Sequence, residues 1–167
     1  MVTKVPLIYS SGILLYKVVN NEILVFLAHA GGPYWADNPD HSWGIPKGRL
    51  ELNEDALEAA YREFEEEIGF PAPEVDLKFL GEFEQRYDKH ILAYYAEAPD
   101  FEVEQINSNL FDMEWPKGSG EIQWFPEMDD AQWFEISKAY VKVMNSQKQL
   151  LTKLEEVLKH GKPRRKS

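Results

Sequence analysis

The chain has 167 residues, 44% hydrophobic and 13% aromatic, enough for a full core and too apolar for a disordered chain. It has no cysteine, which excludes disulfides and thiolate metal sites and fits a reducing cytoplasm. The net charge of −11 suits nucleic-acid wrapping poorly, so no stable nucleic-acid partner is expected, and an anionic substrate would need a bridging cation. No run approaches the roughly 20 apolar residues of a membrane span, and the first residues lack a signal peptide's apolar core. The expectation is a soluble cytoplasmic protein with no membrane partner.

In chain order, Ser11–Tyr16 and Glu22–Ala28 are β-rich runs. Asn20-Asn21 between them signals a hairpin turn. Residues 29–43 are rich in Gly, Pro, Asp and Asn and predict a long loop, often a functional feature in a compact domain. Asn53–Ile68 predicts a helix, with Asn53 as N-cap, Glu54 and Asp55 at the positive end of the dipole, and Gly69 as C-cap. Leu77–Phe83 and His90–Ala96 predict strands, residues 99–120 a second long loop, and Trp133-Phe134 a last strand. Ser137–His160 reads as helix interrupted near Asn145-Ser146. Its stripe of Leu150, Leu151, Leu154, Val157 and Leu158 fits core packing or a dimer contact, leaving monomer and homodimer open. The organisation expected is one α+β domain over residues 1–160, followed by a disordered basic tail, 161–167.

On a helical wheel at about 100° per residue, Leu57, Ala60, Tyr61, Phe64 and Ile68 define an apolar face. Glu58 and Glu65 point to solvent. Glu63, Glu66 and Glu67 are spaced i, i+3, i+4 and share one region, with Glu67 at the edge of the apolar face. Carboxylates crowded there repel one another and lose hydration, which favours a hard divalent cation, Mg2+ or Mn2+. A solvated glutamate-rich face fits the helix alone equally well, and Arg62 fits plain pairing with Glu58 and Glu66.

The flanking residues add a specific pattern. Gly48, five residues, Glu54, seven residues and then Arg62-Glu63-Phe64-Glu65-Glu66-Glu67-Ile68-Gly69-Phe70 resembles the complete Nudix box. The approach Trp43-Gly-Ile-Pro-Lys-Gly48 is similar to that of dinucleoside polyphosphate hydrolases of this MutT-like superfamily. The resemblance implies the Nudix fold, an α/β/α sandwich with a mixed β-sheet. It also implies Mg2+-dependent (or Mn2+-dependent) cleavage of a pyrophosphate bond in a nucleoside diphosphate linked to another moiety. Glu63, Glu66, Glu67 and the backbone carbonyl of Lys47 would be metal ligands. Arg62 would orient the carboxylates and Glu54 would support the loop, while Gly48 and Gly69 would be structural.

Many members use a further glutamate before a late Trp-containing strand. Glu127 is the choice here, as metal ligand or general base, with Glu114 and Glu121 as rivals. Either Glu66 or Glu127 would take the proton. Lys47 and Arg49 are candidates for phosphate contact or plain surface charge. Tyr34, Trp35, Trp43 and Trp115 fit base stacking or loop packing, and Lys117 fits a terminal phosphate. The expected substrate is a nucleoside polyphosphate, a dinucleoside tetraphosphate or a nucleoside triphosphate. Nucleotide sugars, dinucleotide cofactors, capped RNA and a non-catalytic nucleotide sensor are the alternatives.

Overall fold

The computed structural model describes residues 6–161. Strands β1 (Ile8–Val19) and β2 (Glu22–Ala30) form the expected hairpin, both longer than the sequence suggested. Asn20 and Asn21 alone make the turn, with φ of 52° and 66°. That left-handed pair matches the twist of the flanking strands, and asparagine tolerates it. The first long loop is slightly shorter than expected, because β2 runs on through Ala30 and short strand β3 (Trp43–Gly44) begins at its last residue, with β4 (Lys47–Arg49) following.

Helix α1 spans Ala56–Ile68, and its N-cap is Asp55, not Asn53. The Asp55 carboxylate accepts from the Leu57 and Glu58 amides at 3.1 and 3.2 Å. Asn53 instead has φ of 64°, in the turn that brings the chain into the helix. Both residues are good cap formers, and the turn claims the first. Gly69 ends the helix in the left-handed region at φ 87°, as expected.

Strands β5 (Lys78–Arg86) and β6 (Lys89–Glu97) follow. The second stretch expected as loop contains a strand, β7 (Leu110–Glu114), which pairs with β8 (Ile122–Pro126) in a separate two-stranded hairpin. Strand β9 (Met128–Glu135), helix α2 (Ile136–Lys142), a 3-10 turn (Asn145–Gln147) and helix α3 (Lys148–Gly161) complete the described residues. The expected tail lies outside them except for Gly161, the last residue of α3.

The main sheet is mixed, in the order β3-β2-β1-β6-β5, with β4 joined to β1 and β9 to β2. Strand β1 pairs parallel with β6 and antiparallel with β2 and β4. Its side chains alternate between two cores. Ile13 and Leu15 pack with Phe26, Ala60, Phe64 and Ile68 under α1. Leu14 packs with Val25, Leu27, Leu150, Leu151 and Leu154 under α2 and α3. The sheet therefore carries helices on both faces, in agreement with the expected α+β sandwich. The stripe on α3 lies in the chain's own core, so it does not argue for a dimer.

Candidate active site

The wheel needs one rotation. Tyr61 is 38% exposed, whereas Ala59, which is not among the residues assigned to the apolar face, is fully buried. The buried arc runs from Ala59 through Ala60 and Phe64 to Ile68, and Glu67 falls inside it at 6% exposure. Two adjacent alanines let the helix backbone approach the sheet closely, and that approach carries Glu67 inward. Ser11 of β1 fixes the helix start, donating its hydroxyl to the Ala56 carbonyl at 2.6 Å.

Glu67 and Glu63 face the loop around β4. The Lys47 amide donates to Glu67 Oε2 at 3.2 Å. Burial pushes the Glu67 carboxyl up to about 8, opposed by the charge and amide of Lys47 and reinforced by Glu63 and Glu127. Glu63 lies against the backbone of Gly48: a Cβ there would sit 1.8 Å from its Oε2. Burial, outweighing the pull of Arg62, also raises the Glu63 carboxyl.

Arg62 fastens this region. Its Nε and Nη2 both reach Glu54 at 2.8 Å, a two-pronged pair. Nη1 donates to Glu63 at 2.7 Å and Glu66 at 3.1 Å, and Nη2 also reaches the Arg49 carbonyl at 3.2 Å. The carboxylate partners are thus Glu54, Glu63 and Glu66, with Glu51 at the longer distance of 3.9 Å, and Glu58 is not among them. Hydrogen bonds from Arg62 hold the Glu54 carboxyl down to about 2. The Glu54 carboxylate also accepts from the Glu51 amide at 3.0 Å, closing the turn before the helix.

Glu127 arrives from the bend between β8 and β9. Partial burial and the charge of Glu66 raise its carboxyl, and its charge also acts on Glu63 and Glu67. Its amide donates to the Asn109 carbonyl at 2.8 Å, and the Asn109 amide donates to the Glu66 carbonyl at 3.0 Å. This backbone relay joins the bend to α1. The rivals lie elsewhere: Glu114 binds the Gly118 amide in the β7–β8 turn, and Glu121 is exposed beside it.

The candidate substrate contacts divide. Trp43 is a core residue, 7% exposed, edge-on to Phe134 at 4.8 Å and bonded to the Pro39 carbonyl. It offers no free face for stacking, a correction explained by its place in β3 against β2. Tyr34 and Trp35 remain exposed. Tyr34 meets Trp115 edge-on at 5.6 Å, so the first loop touches the β7–β8 hairpin. Arg49 and Lys117 are exposed, the latter at the hairpin tip.

Glu67 and Glu63 therefore face the Lys47–Gly48 loop, with Glu66 and Glu127 close enough to act on them or on each other electrostatically, and burial and mutual repulsion raise Glu63, Glu67 and Glu127. That donor set fits a hard cation. Among the described residues, no three acidic or imidazole groups converge as a ready coordination sphere. Glu63 is turned to Arg62 and Glu67 to the Lys47 amide, so loading would require them to turn. Sequence reasoning missed the Asn109 relay, which uses only backbone atoms and has no side-chain signal. Among the described residues, no helix is long and apolar enough to cross a membrane.

A family model described as NUDIX domain matches residues 9–154. Among solved structures, a C. elegans Ap4A hydrolase in a binary complex is similar over 92% of this chain and 99% of its own, at 19% identity and TM-score 0.62. The NUDIX domain of Shewanella oneidensis NrtR, complexed with ADP ribose, is similar over 93% of this chain and 90% of its own, at 15% identity and TM-score 0.60. A mutT/nudix family protein from Listeria innocua is similar over 95% of this chain and 98% of its own, at 20% identity and TM-score 0.58.

Proposed function

The chain belongs to the Nudix family of pyrophosphohydrolases, and from that premise we propose a divalent-metal-dependent enzyme that hydrolyses a nucleoside polyphosphate, a dinucleoside tetraphosphate or a nucleoside triphosphate. The placement of Glu67 and Glu63 against the Lys47–Gly48 loop, with Glu66 and Glu127 in electrostatic reach of this acidic set, carries this reading. Mg2+ or Mn2+, when bound, would neutralise phosphate charge and lower the pKa of a water. Glu63, Glu66 and Glu67 would hold it, with the Lys47 carbonyl and Glu127 completing the oxygen set.

Arg62 holds Glu63 and Glu66 in orientation, and Glu54 holds Arg62. A carboxylate oxygen of Glu66 or Glu127 takes the proton from the attacking water. The side chains of Lys47 and Arg49 meet the substrate phosphates. Tyr34 and Trp35 supply exposed aromatic faces for a base, and Lys117 is the candidate for a terminal phosphate. The solved C. elegans neighbour is an Ap4A hydrolase, which supports the polyphosphate class. The absence of cysteine supports a reducing, cytoplasmic setting.

The experiment is a nucleotide panel with Mg2+ and phosphate detection, including dinucleoside tetraphosphates, nucleoside triphosphates and ADP ribose. Polyphosphates should turn over fastest. Glu66→Gln and Glu67→Gln should abolish turnover; near-wild-type rates in both would remove the metal-site assignment. Binding across the panel without turnover would identify a sensor instead.

A further inference from the structure

Gln147, in the 3-10 turn, is 1% exposed. Its Oε1 accepts from the Ile45 amide at 2.9 Å. Its Nε2 finds no acceptor among the described residues. The amide lies flat against Gly44, where a Cβ would stand 2.7 Å from Nε2 and 3.0 Å from Oε1. The segment before Gln147 is laced to the same strand: the His41 and Ser42 amides donate to Val141 and Lys142 carbonyls, both at 3.1 Å, and Met144 donates to Trp43 at 2.8 Å.

An apolar residue of equal length would fill this space without burying an unpaired nitrogen, which costs stability. What glutamine alone supplies is an acceptor for Ile45. Two residues further on, Lys47 presents its amide to Glu67 at 3.2 Å. The intervening Pro46 carbonyl accepts from Ile13 at 3.1 Å, so residues 45–47 are held at successive points. We propose that Gln147 is a positioning residue for the candidate metal loop, acting through Ile45 to set the backbone of Lys47. This rests on the metal reading of Lys47 and Glu67 given above.

The test compares Gln147→Met, which keeps length but removes the acceptor, with Gln147→Glu, which keeps the acceptor and buries a charge. Four quantities are measured: Tm, amide exchange over residues 44–48, Mn2+ binding without substrate by electron paramagnetic resonance, and kcat and KM. Gln147→Met should change Tm little, because orphaning the Ile45 amide is offset by removing the unpaired Nε2. It should exchange faster at Ile45 and Lys47, bind Mn2+ about tenfold more weakly, the lower end for a lost outer-shell partner, and lose kcat more than it changes KM. Gln147→Glu should lower Tm yet retain Mn2+ affinity. Wild-type exchange and Mn2+ affinity in Gln147→Met would overturn the inference, as would affinities that simply follow Tm in both variants. Should Gln147→Met not fold, Gly44→Ala disturbs the same amide, and unchanged Mn2+ affinity there is equally fatal. A wild-type protein that binds no Mn2+ would instead remove the metal reading, leaving the exchange data to decide whether Gln147 holds the loop.

Discussion

Replacing Gly48 with alanine should separate activity from stability. The added Cβ would stand 1.8 Å from Glu63 Oε2, against about 3.4 Å for ordinary contact, so the carboxylate must retreat by about 1.6 Å. The obstructing atoms are the far end of a flexible side chain, and the backbone at Gly48 is not left-handed. Folding should therefore adapt easily. The retreat breaks the 2.7 Å bond from Arg62, worth about 1 kcal/mol, and Tm should fall by only about 2–4 °C. Catalysis is less forgiving, because a displacement of about 1 Å costs on the order of 100-fold. The assay is steady-state phosphate release on the best substrate of the panel, with Tm measured in parallel. A kcat within about threefold of wild type would refute the reasoning, since Glu63 would then need no defined position.

Glu67 gives a pH prediction. Its carboxyl is raised above its unfolded value, so its contribution to stability is full below about pH 4.5 and is lost as pH rises through about 8. Burial raises Glu63 and Glu127 in the same direction. In chelator, Tm should fall between pH 5 and 8; Mg2+ should reverse the fall, and Glu67→Gln should flatten it. A flat wild-type profile would contradict the burial argument. Glu54→Gln should reduce kcat by about 10- to 100-fold by loosening Arg62, and unchanged kinetics would show that Arg62 needs no anchor. Glu54 has the opposite linkage: held down to about 2, it stabilises above the unfolded value near 4.5 and ceases to do so as pH falls through 2. Glu127→Gln should cost at least about 100-fold in kcat, while Glu114→Gln and Glu121→Gln leave it intact; the reverse ranking would move the role to the hairpin.

Much of this layout was legible beforehand because it rests on periodicity and spacing. The α1 repeat and its C-cap glycine announce the helix, and the interval from Gly48 to Arg62 names the acidic set. Other features depend on contacts that a linear pattern does not carry. The centre of the buried arc on α1 is set by Ala59 and Ala60 against the sheet, and a wheel has no way to weigh that approach. Strand β7 alternates for only five residues, Leu110–Glu114, before Trp115-Pro-Lys-Gly-Ser-Gly120, whose turn composition dominates the reading. Trp43 sits in a loop-like run, and only pairing with β2 reveals it as core. Gln147 stands in a polar stretch, Asn145–Gln149, where nothing distinguishes a buried amide from a solvated one. The resemblance makes Gly48 structural, and the structure gives the reason as the close passage of the Glu63 carboxylate.

The candidate site draws on the backbone of residue 47, on residues 63–67 and on residue 127, the last brought in by the bend before β9, which pairs with β2. A ligand seated there would act as a clasp between distant stretches of sequence. By mass action it would favour the fully assembled chain, by about 2.7 kcal/mol at a hundred times its dissociation constant. The β1–β2 hairpin by itself would gain nothing from it. Cation availability would thus govern how long the assembled chain resists proteolysis, independently of how fast it turns over substrate.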